Sequence, residues 1–158
     1  MTIERTIKTD AKDVTELTIR SKSHWNYSKK QIEEWREELT ITEKYIDENQ
    51  IFKLVIDKCL IGFYAYQPES ETDIKLNYLF VDSKFIGKGY GKALMVDFLQ
   101  RIKNSEFKRV ILDADPHAEK FYSRLGFRVI GKLKSSIKDR FLPIMELEIK
   151  PTRNKIYK

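Results

Sequence analysis

The residues best suited to chemistry lie between positions 84 and 92, where the chain reads Lys84-Phe-Ile-Gly-Lys-Gly-Tyr-Gly-Lys92. Glycines at 87, 89 and 91 let backbone N–H groups converge without Cβ obstruction. They stand between a strand-like run and an apolar helical run. At such a helix start the N–H groups lack partners and the dipole is positive. The combination suits a phosphate, and Lys84, Lys88 and Lys92 add positive charge beside it. A P-loop, G-x-x-x-x-G-K-[ST], is broken by Ile86 and by Ala93, which stands where a magnesium-holding hydroxyl is needed. A dinucleotide fingerprint accepts Gly87 and Gly89 but meets Lys92 where its third glycine belongs. The loop therefore points to a diphosphate held without metal or nicotinamide. The plain alternative is a glycine turn that only caps a helix.

Other chemistry is sparse. The single cysteine, Cys59, excludes an internal disulfide and a cysteine metal cluster. Its apolar surroundings read as those of a buried small hydrophobe. His24 and His117 lack metal-ligand spacing, so no metal site is expected. The chain has 158 residues, which argues for one domain over 1–150 with a basic tail at 151–158. Hydrophobic residues make up 41%, enough for one core. No apolar run approaches the ~18 residues of a membrane span, and the polar start has no signal region. A cytoplasmic protein with no membrane partner is the resulting expectation. The net charge of +6 fits either nucleic acid or an anionic cofactor. The lysines are scattered, and neither an aromatic-interleaved basic patch nor a reading helix is evident, so no nucleic-acid partner is expected.

The elements that must position the loop follow from periodicity. Ile3, Arg5 and Ile7 alternate as a first strand, and Asp10 can cap a helix whose face carries Ala11, Val14, Leu17 and Thr18. Ser28 and Gln31 form a capping box for a second helix through Ile32, Trp35 and Leu39, with a short turn from Thr42. Phe52, Leu54 and Ile56 alternate; Asp57-Lys58 turns; strands follow over 59–66 and 75–81, an antiparallel meander. Beyond the loop, Leu94, Met95, Phe98, Leu99 and Ile102 share a helical face. Arg109–Asp113 reads as a short buried strand. Pro116 opens a helix that Gly126 stops, and strands over 127–130 and 144–149 close the chain. The strand–helix–strand–helix–strand portion calls for parallel neighbours. The class is α+β with a mixed sheet of about six or seven strands.

Leu79-Phe-Val-Asp82 precedes the loop, and Asp115-Pro-His-Ala-Glu-Lys-Phe-Tyr-Ser-Arg-Leu-Gly-Phe127 follows it. Together these resemble the GNAT superfamily of acetyl-CoA-dependent N-acetyltransferases. The family motif [QR]-x-x-G-x-[GA] reads here Lys84-Phe-Ile-Gly87-Lys-Gly89, and A-x-x-F-Y-x-x-x-G-F is met by Ala118, Phe121, Tyr122, Gly126 and Phe127. Ser23-His-Trp-Asn-Tyr27 and Ser135-Ser136-Ile-Lys-Asp-Arg140-Phe-Leu-Pro143 also look like elements of a bacterial subgroup. Each motif is weak singly; their order and spacing are specific. Lys84 departs from the usual Arg or Gln and loses the planar fork. Asp115 replaces a frequent Asn, keeping a cap but losing a donor to the cofactor arm.

The resemblance implies a splayed central sheet with helices on both faces, the acyl-CoA N-acyltransferase fold, its two central strands parting at 76–81 and 109–113. It implies acetyl-CoA as cofactor, paired with backbone near Phe80 and Val81 and gripped by Lys84, Ile86, Gly87, Lys88, Gly89, Tyr90, Gly91 and Lys92. Asp115, Ala118 and Phe121 would line its other side. Tyr122 would be the general acid for the thiolate, its phenol near pKa ~10 matching a thiol leaving group; the alternative is packing alone. A family carboxylate base would fall near Asn77, which cannot serve; Asp73 lies far off at the strand start and His24 is a candidate, so the base stays unassigned. His24, Trp25, Tyr27, Asn77 and Arg140 are the candidates for the acceptor side, a small-molecule or peptide amine. Packing is the plain alternative for Trp25 and Tyr27, and solvent exposure for Arg140 and His117. A catalytically silent acyl-CoA-binding regulatory module is the competing function. Many proteins of the superfamily dimerise, so a homodimer is among the expected assemblies.

Overall fold

Residues 1–150 are described by a computed structural model; the basic tail at 151–158 lies outside the described residues. The chain opens with strand β1 (Thr2–Arg5) and helices α1 (Ala11–Ser23), α2 (Lys29–Glu34), α3 (Arg36–Leu39) and α4 (Glu43–Glu48). Strands β2 (Gln50–Ile56), β3 (Cys59–Pro68) and β4 (Asp73–Val81) follow. Helix α5 (Tyr90–Ile102), β5 (Arg109–Asp113), α6 (Glu119–Arg124), β6 (Arg128–Lys134) and β7 (Phe141–Glu148) complete it. The strands form one seven-stranded mixed sheet in the order β1-β2-β3-β4-β5-β7-β6. No described helix is long and apolar enough to cross a membrane.

Local chemistry explains most boundaries. Ser28 accepts from the Gln31 N–H at 3.0 Å and starts α2; Thr42 does the same for Tyr45 and starts α4. Asp57 and Lys58 both adopt positive φ, 48° and 64°, and close the β2–β3 hairpin in two residues. Asp10 does not cap α1. Its carboxylate instead accepts from the Ile7 N–H and from Lys53, each at 2.9 Å, because a 3₁₀ turn at Lys8–Asp10 intervenes. The expected second helix breaks at Trp35 into α2 and α3.

Two compact units make up the described residues. One holds Met1–Gln67 and Asn77–Phe98. In it β3 is covered on both faces. Phe63 and Ala65 join Val14 and Leu17 of α1, Ile41, Ile46 of α4 and Ile51 in one buried cluster. On the other face, a Cβ at Gly62 would lie 3.0 Å from Leu94 of α5, and the rings of Tyr64 and Phe98 are 5.4 Å apart. Leu94, Met95 and Phe98 are fully buried, as the helical periodicity requires.

Among the described residues, the second unit holds Pro68–Leu76 and 99–150. Here β4 and β5 run parallel. The order of the last two strands corrects the sequence reading. β6 does not neighbour β5; β7 lies between them, antiparallel to both. A short connection at 135–140 folds β6 and β7 into a hairpin, and a hairpin partner takes the place a crossover strand would occupy. Cys59 is also corrected. It begins β3 directly after the hairpin turn and is exposed, so its thiol does not join the core.

Candidate functional site

The glycine loop is positioned by Asp82. Its buried carboxylate, 4% exposed, accepts from Arg20 of α1 at 2.8 and 3.2 Å and from the Lys84 N–H at 3.3 Å. Burial alone would push this carboxyl up; the bonds from Arg20 and the Lys84 N–H outweigh it and hold it below its ordinary value of 3.8. Asp82 so caps the 3₁₀ turn Ser83–Phe85 that carries the chain off β4 into the loop. Arg20 was not singled out from sequence, and Asp82 entered only as the end of the Leu79–Asp82 segment; an Asp directly before Ser83 is the one local signal of the cap.

Backbone hydrogen bonding outside the helices stops at Phe85 N–H to Asp82 O (2.8 Å) and resumes at Ala93 N–H to Gly89 O (3.1 Å) among the described residues. Between them Gly87 and Gly89 take φ of 85° and 88°, a conformation that side-chain-bearing residues resist. An added Cβ at either would meet nothing within 4 Å, so the glycines are required by conformation and not by crowding. Lys84, Lys88 and Lys92 are exposed around the turn, while Ile86, Tyr90 and Gly91 are half-buried. The Lys88 ammonium lies 5.5 Å from the Phe85 ring centroid. Just upstream, every residue from Asn77 to Val81 is half-buried, Phe80 and Val81 included.

Of the residues expected on the acceptor side, Asn77 donates from Nδ2 to the Tyr45 hydroxyl at 3.1 Å. Burial pushes the Tyr45 phenol up to about 12, and its ring packs edge-on to Tyr78 at 5.5 Å. Tyr45 escaped the sequence reading because its contact with Asn77 spans 32 residues. His24 is exposed and packs edge-on against half-buried Trp25 at 4.8 Å. Tyr27 packs edge-on to Trp35 at 4.8 Å, and the Lys22 ammonium sits 5.3 Å from the Tyr27 centroid and 5.0 Å from that of Trp35. The cation over these rings is thus one of the chain's own.

In the second unit, Asp115 caps the turn Pro116–Ala118 by accepting from the His117 N–H at 2.9 Å. The His117 ring Nδ1 and the Arg140 guanidinium also reach this carboxylate, at 2.9 and 3.3 Å. Arg140 further donates to Ser135 Oγ at 3.2 Å. The structure so joins Asp115 and Arg140, which the sequence reading had assigned to different tasks. Ala118 and Phe121 are half-buried. Tyr122 is buried at 8%, its ring edge-on to Phe121 (5.1 Å) and Phe127 (5.6 Å). Its hydroxyl makes no hydrogen bond among the described residues. Burial, then the Asp115 charge, push this phenol up, so it keeps its proton at neutral pH. No group of three or more His, Cys, Asp or Glu that could hold a metal occurs among the described residues.

A family model described as an acetyltransferase (GNAT) domain matches residues 8–149. The spermine/spermidine N(1)-acetyltransferase of Bacillus subtilis is 33% identical over 85 residues, 47% of this chain and 56% of that protein. An uncharacterised N-acetyltransferase, ycf52, of Gracilaria tenuistipitata var. liui is 25% identical over 89 residues, 56% of this chain and 49% of that one. The chain thus spans about half the length of the curated relatives it matches. Among solved structures, the PaiA N-acetyltransferase of Thermoplasma acidophilum, in complex with coenzyme A, superposes with a TM-score of 0.77. It shares 23% identity and covers 94% of this chain and 99% of its own. The ribosomal-protein-S18-alanine N-acetyltransferase of Escherichia coli superposes with a TM-score of 0.72 at 18% identity, covering 99% of both chains. At these identities the superpositions speak for the fold.

Proposed function

Since the chain belongs to the GNAT family of acetyltransferases, we propose that it moves an acetyl group from acetyl-CoA to a primary amine of a small molecule or peptide. The observation that carries this is the loop after β4. Gly87 and Gly89 at positive φ, with open space where a side chain would project and three exposed lysines around them, fit a diphosphate. Ile86, Gly87, Lys88, Gly89, Tyr90, Gly91 and Lys92 would hold that group, with Lys84 supplying charge. The half-buried backbone at Phe80 and Val81 would take the cofactor's arm as an added strand. In the second unit, Asp115, Ala118 and Phe121 are further candidates for cofactor contact. The reaction and its carrier go with a cytoplasmic location.

Acetyl-CoA supplies the activated acetyl thioester. The chain supplies a hydrogen-bond donor for the carbonyl oxygen, a backbone N–H near Phe80 or Val81. Tyr122 holds a proton at its hydroxyl for the departing thiol; a phenol kept protonated by burial is available for that donation. Asn77, His24 and the aromatic residues Trp25 and Tyr27 would shape the acceptor side, and Arg140 in the second unit is a further candidate for acceptor contact.

Thermal-shift titration with acetyl-CoA, followed by an amine panel reporting free thiol, tests the reading. A ligand at about a hundred times its Kd stabilises by roughly 2.7 kcal/mol, which a thermal melt resolves. No shift at millimolar acetyl-CoA would overturn the assignment. Spermine and spermidine, the acceptors in the Bacillus relative's name, open the panel. Asn77, held by Tyr45 and unable to act as a base, favours the second reading, a silent acyl-CoA-binding module. Binding without thiol release across the panel would select it.

A further inference from the structure

The seam between β4 and β5 carries a charge code. The two strands pair in parallel over three residues, Asp73↔Arg109, Ile74↔Val110 and Lys75↔Ile111. β4 continues six residues further to Val81, and none of these has a ladder partner in β5 among the described residues. Ile74, Leu76, Val110 and Leu112 are buried, so the opposite face of the seam carries Asp73, Lys75, Arg109, Ile111 and Asp113. On that face two ion pairs bracket Ile111. Arg109 donates to both carboxylate oxygens of Asp73, at 2.7 and 3.1 Å. Lys75 reaches diagonally past its own rung to Asp113 at 2.8 Å. Both members of this second pair are largely shielded, at 21% and 27% side-chain exposure.

Along β4 the charges read minus then plus, and along β5 plus then minus. A one-residue slip would turn the slipped strand's side chains to the wrong face. A two-residue slip one way would set Lys75 against Arg109. The other way, it would set Lys75 directly opposite Asp113 but part Asp73 from its first-rung partner Arg109. The first slip juxtaposes like charges, which is destabilising, and the second gives up the Asp73–Arg109 pair. The Asp73–Arg109 pair lies at the first rung, whereas the Lys75–Asp113 bridge runs from the last rung to the β5 residue beyond it.

We propose that Lys75 and Asp113 are a positioning pair: their bridge fixes where β4 and β5 stop pairing, and so how much β4 backbone is left free to receive the thioester arm of acetyl-CoA. The role for the arm rests on the functional reading above; the role in the seam does not. Hydrogen exchange of the ligand-free protein tests the seam. In Lys75→Met and in Asp113→Asn, amide exchange over 74–76 and 111–113 should rise roughly threefold to fivefold, the scale of one lost part-exposed ion pair. The charge-exchanged double variant, Lys75→Asp with Asp113→Lys, should restore protection. Unchanged exchange in the single variants, or a double variant no better than they are, would overturn the pair.

Acetyl-CoA titration of the same proteins tests the link to the arm. The single variants should bind several-fold more weakly and the exchanged pair should recover. Lys53→Met, which breaks an ion pair of similar burial to Asp10, should bind normally. Single variants that bind acetyl-CoA like the parent would overturn the link. A parent protein that does not bind it would overturn the functional reading, while the exchange result still judges the seam.

Discussion

Tyr122 shows how one residue can serve both packing and chemistry. Its ring lies between Phe121 and Phe127, while its hydroxyl has no hydrogen-bond partner among the described residues. Replacing it with Phe keeps the ring and removes the proton. Tyr122→Phe should lower kcat by roughly 10²–10⁴ with the acetyl-CoA KM nearly unchanged. Steady-state kinetics on any amine that turns over would check this, and unchanged kcat would leave Tyr122 a packing residue. Tyr45 offers a different case. Its hydroxyl receives the Asn77 amide, and Tyr45→Phe would leave that half-buried donor unpaired, a cost of about 1 kcal/mol. We expect a several-fold higher KM for the amine and no change for acetyl-CoA. A shift in acetyl-CoA KM instead would move Asn77 to the cofactor side.

Loop and strand use glycine for different physical reasons, and Ala substitutions should separate them. Gly89 sits at φ 88° with open space around it. Gly89→Ala would strain that conformation by about 1–2 kcal/mol. Since the loop is exposed, the strain should appear as weaker acetyl-CoA binding, about tenfold, with little change in Tm. Gly62 is a packing glycine. Its added Cβ would lie 2.6 Å from the Phe80 carbonyl oxygen and 3.0 Å from Leu94. Gly62→Ala must move β4 backbone or α5, an overpacking cost of about 1–3 kcal/mol. A clear drop in Tm is expected, accompanied by weaker acetyl-CoA binding because Phe80 is among the residues displaced. Equal melting temperatures for Gly62→Ala and the parent would show that the strand yields freely there.

Over the full chain, stability at low pH should follow a few paired carboxylates. Arg109 holds Asp73 below its ordinary value of 3.8, and Arg128 with Arg109 holds Glu146 below 4.5. A folded-state value below the unfolded one stabilises fully above the unfolded value. That stabilisation is lost as pH falls through the lower, folded value. The parent protein should therefore hold its Tm down to about pH 4.5 and lose it progressively below. Arg109→Leu should melt lower at pH 7 and lose less on acidification, because Asp73 no longer has a guanidinium to lose; Glu146 keeps Arg128. Parallel Tm–pH curves for the two proteins would show that the Arg109 pairs do not govern acid stability.

Local interactions are legible in the residue order, and the structure realises them where they stay local. The two-residue Asp57-Lys58 turn, the Ser28 and Thr42 caps, the buried stripe of α5 and the glycine loop depend on neighbours a few positions apart. Element type and the glycine turn could therefore be read without coordinates. Contacts between distant segments could not. Asp82 meets Arg20 across 62 residues, Arg140 meets Asp115 across 25, and β7 enters between β5 and β6. Cys59 looked buried because its neighbours are apolar, yet the hairpin turn beside it leaves it in solvent. Periodicity states which face of an element is apolar. Which partner covers that face, and which charges meet across it, is settled only when all the elements compete for the same surfaces.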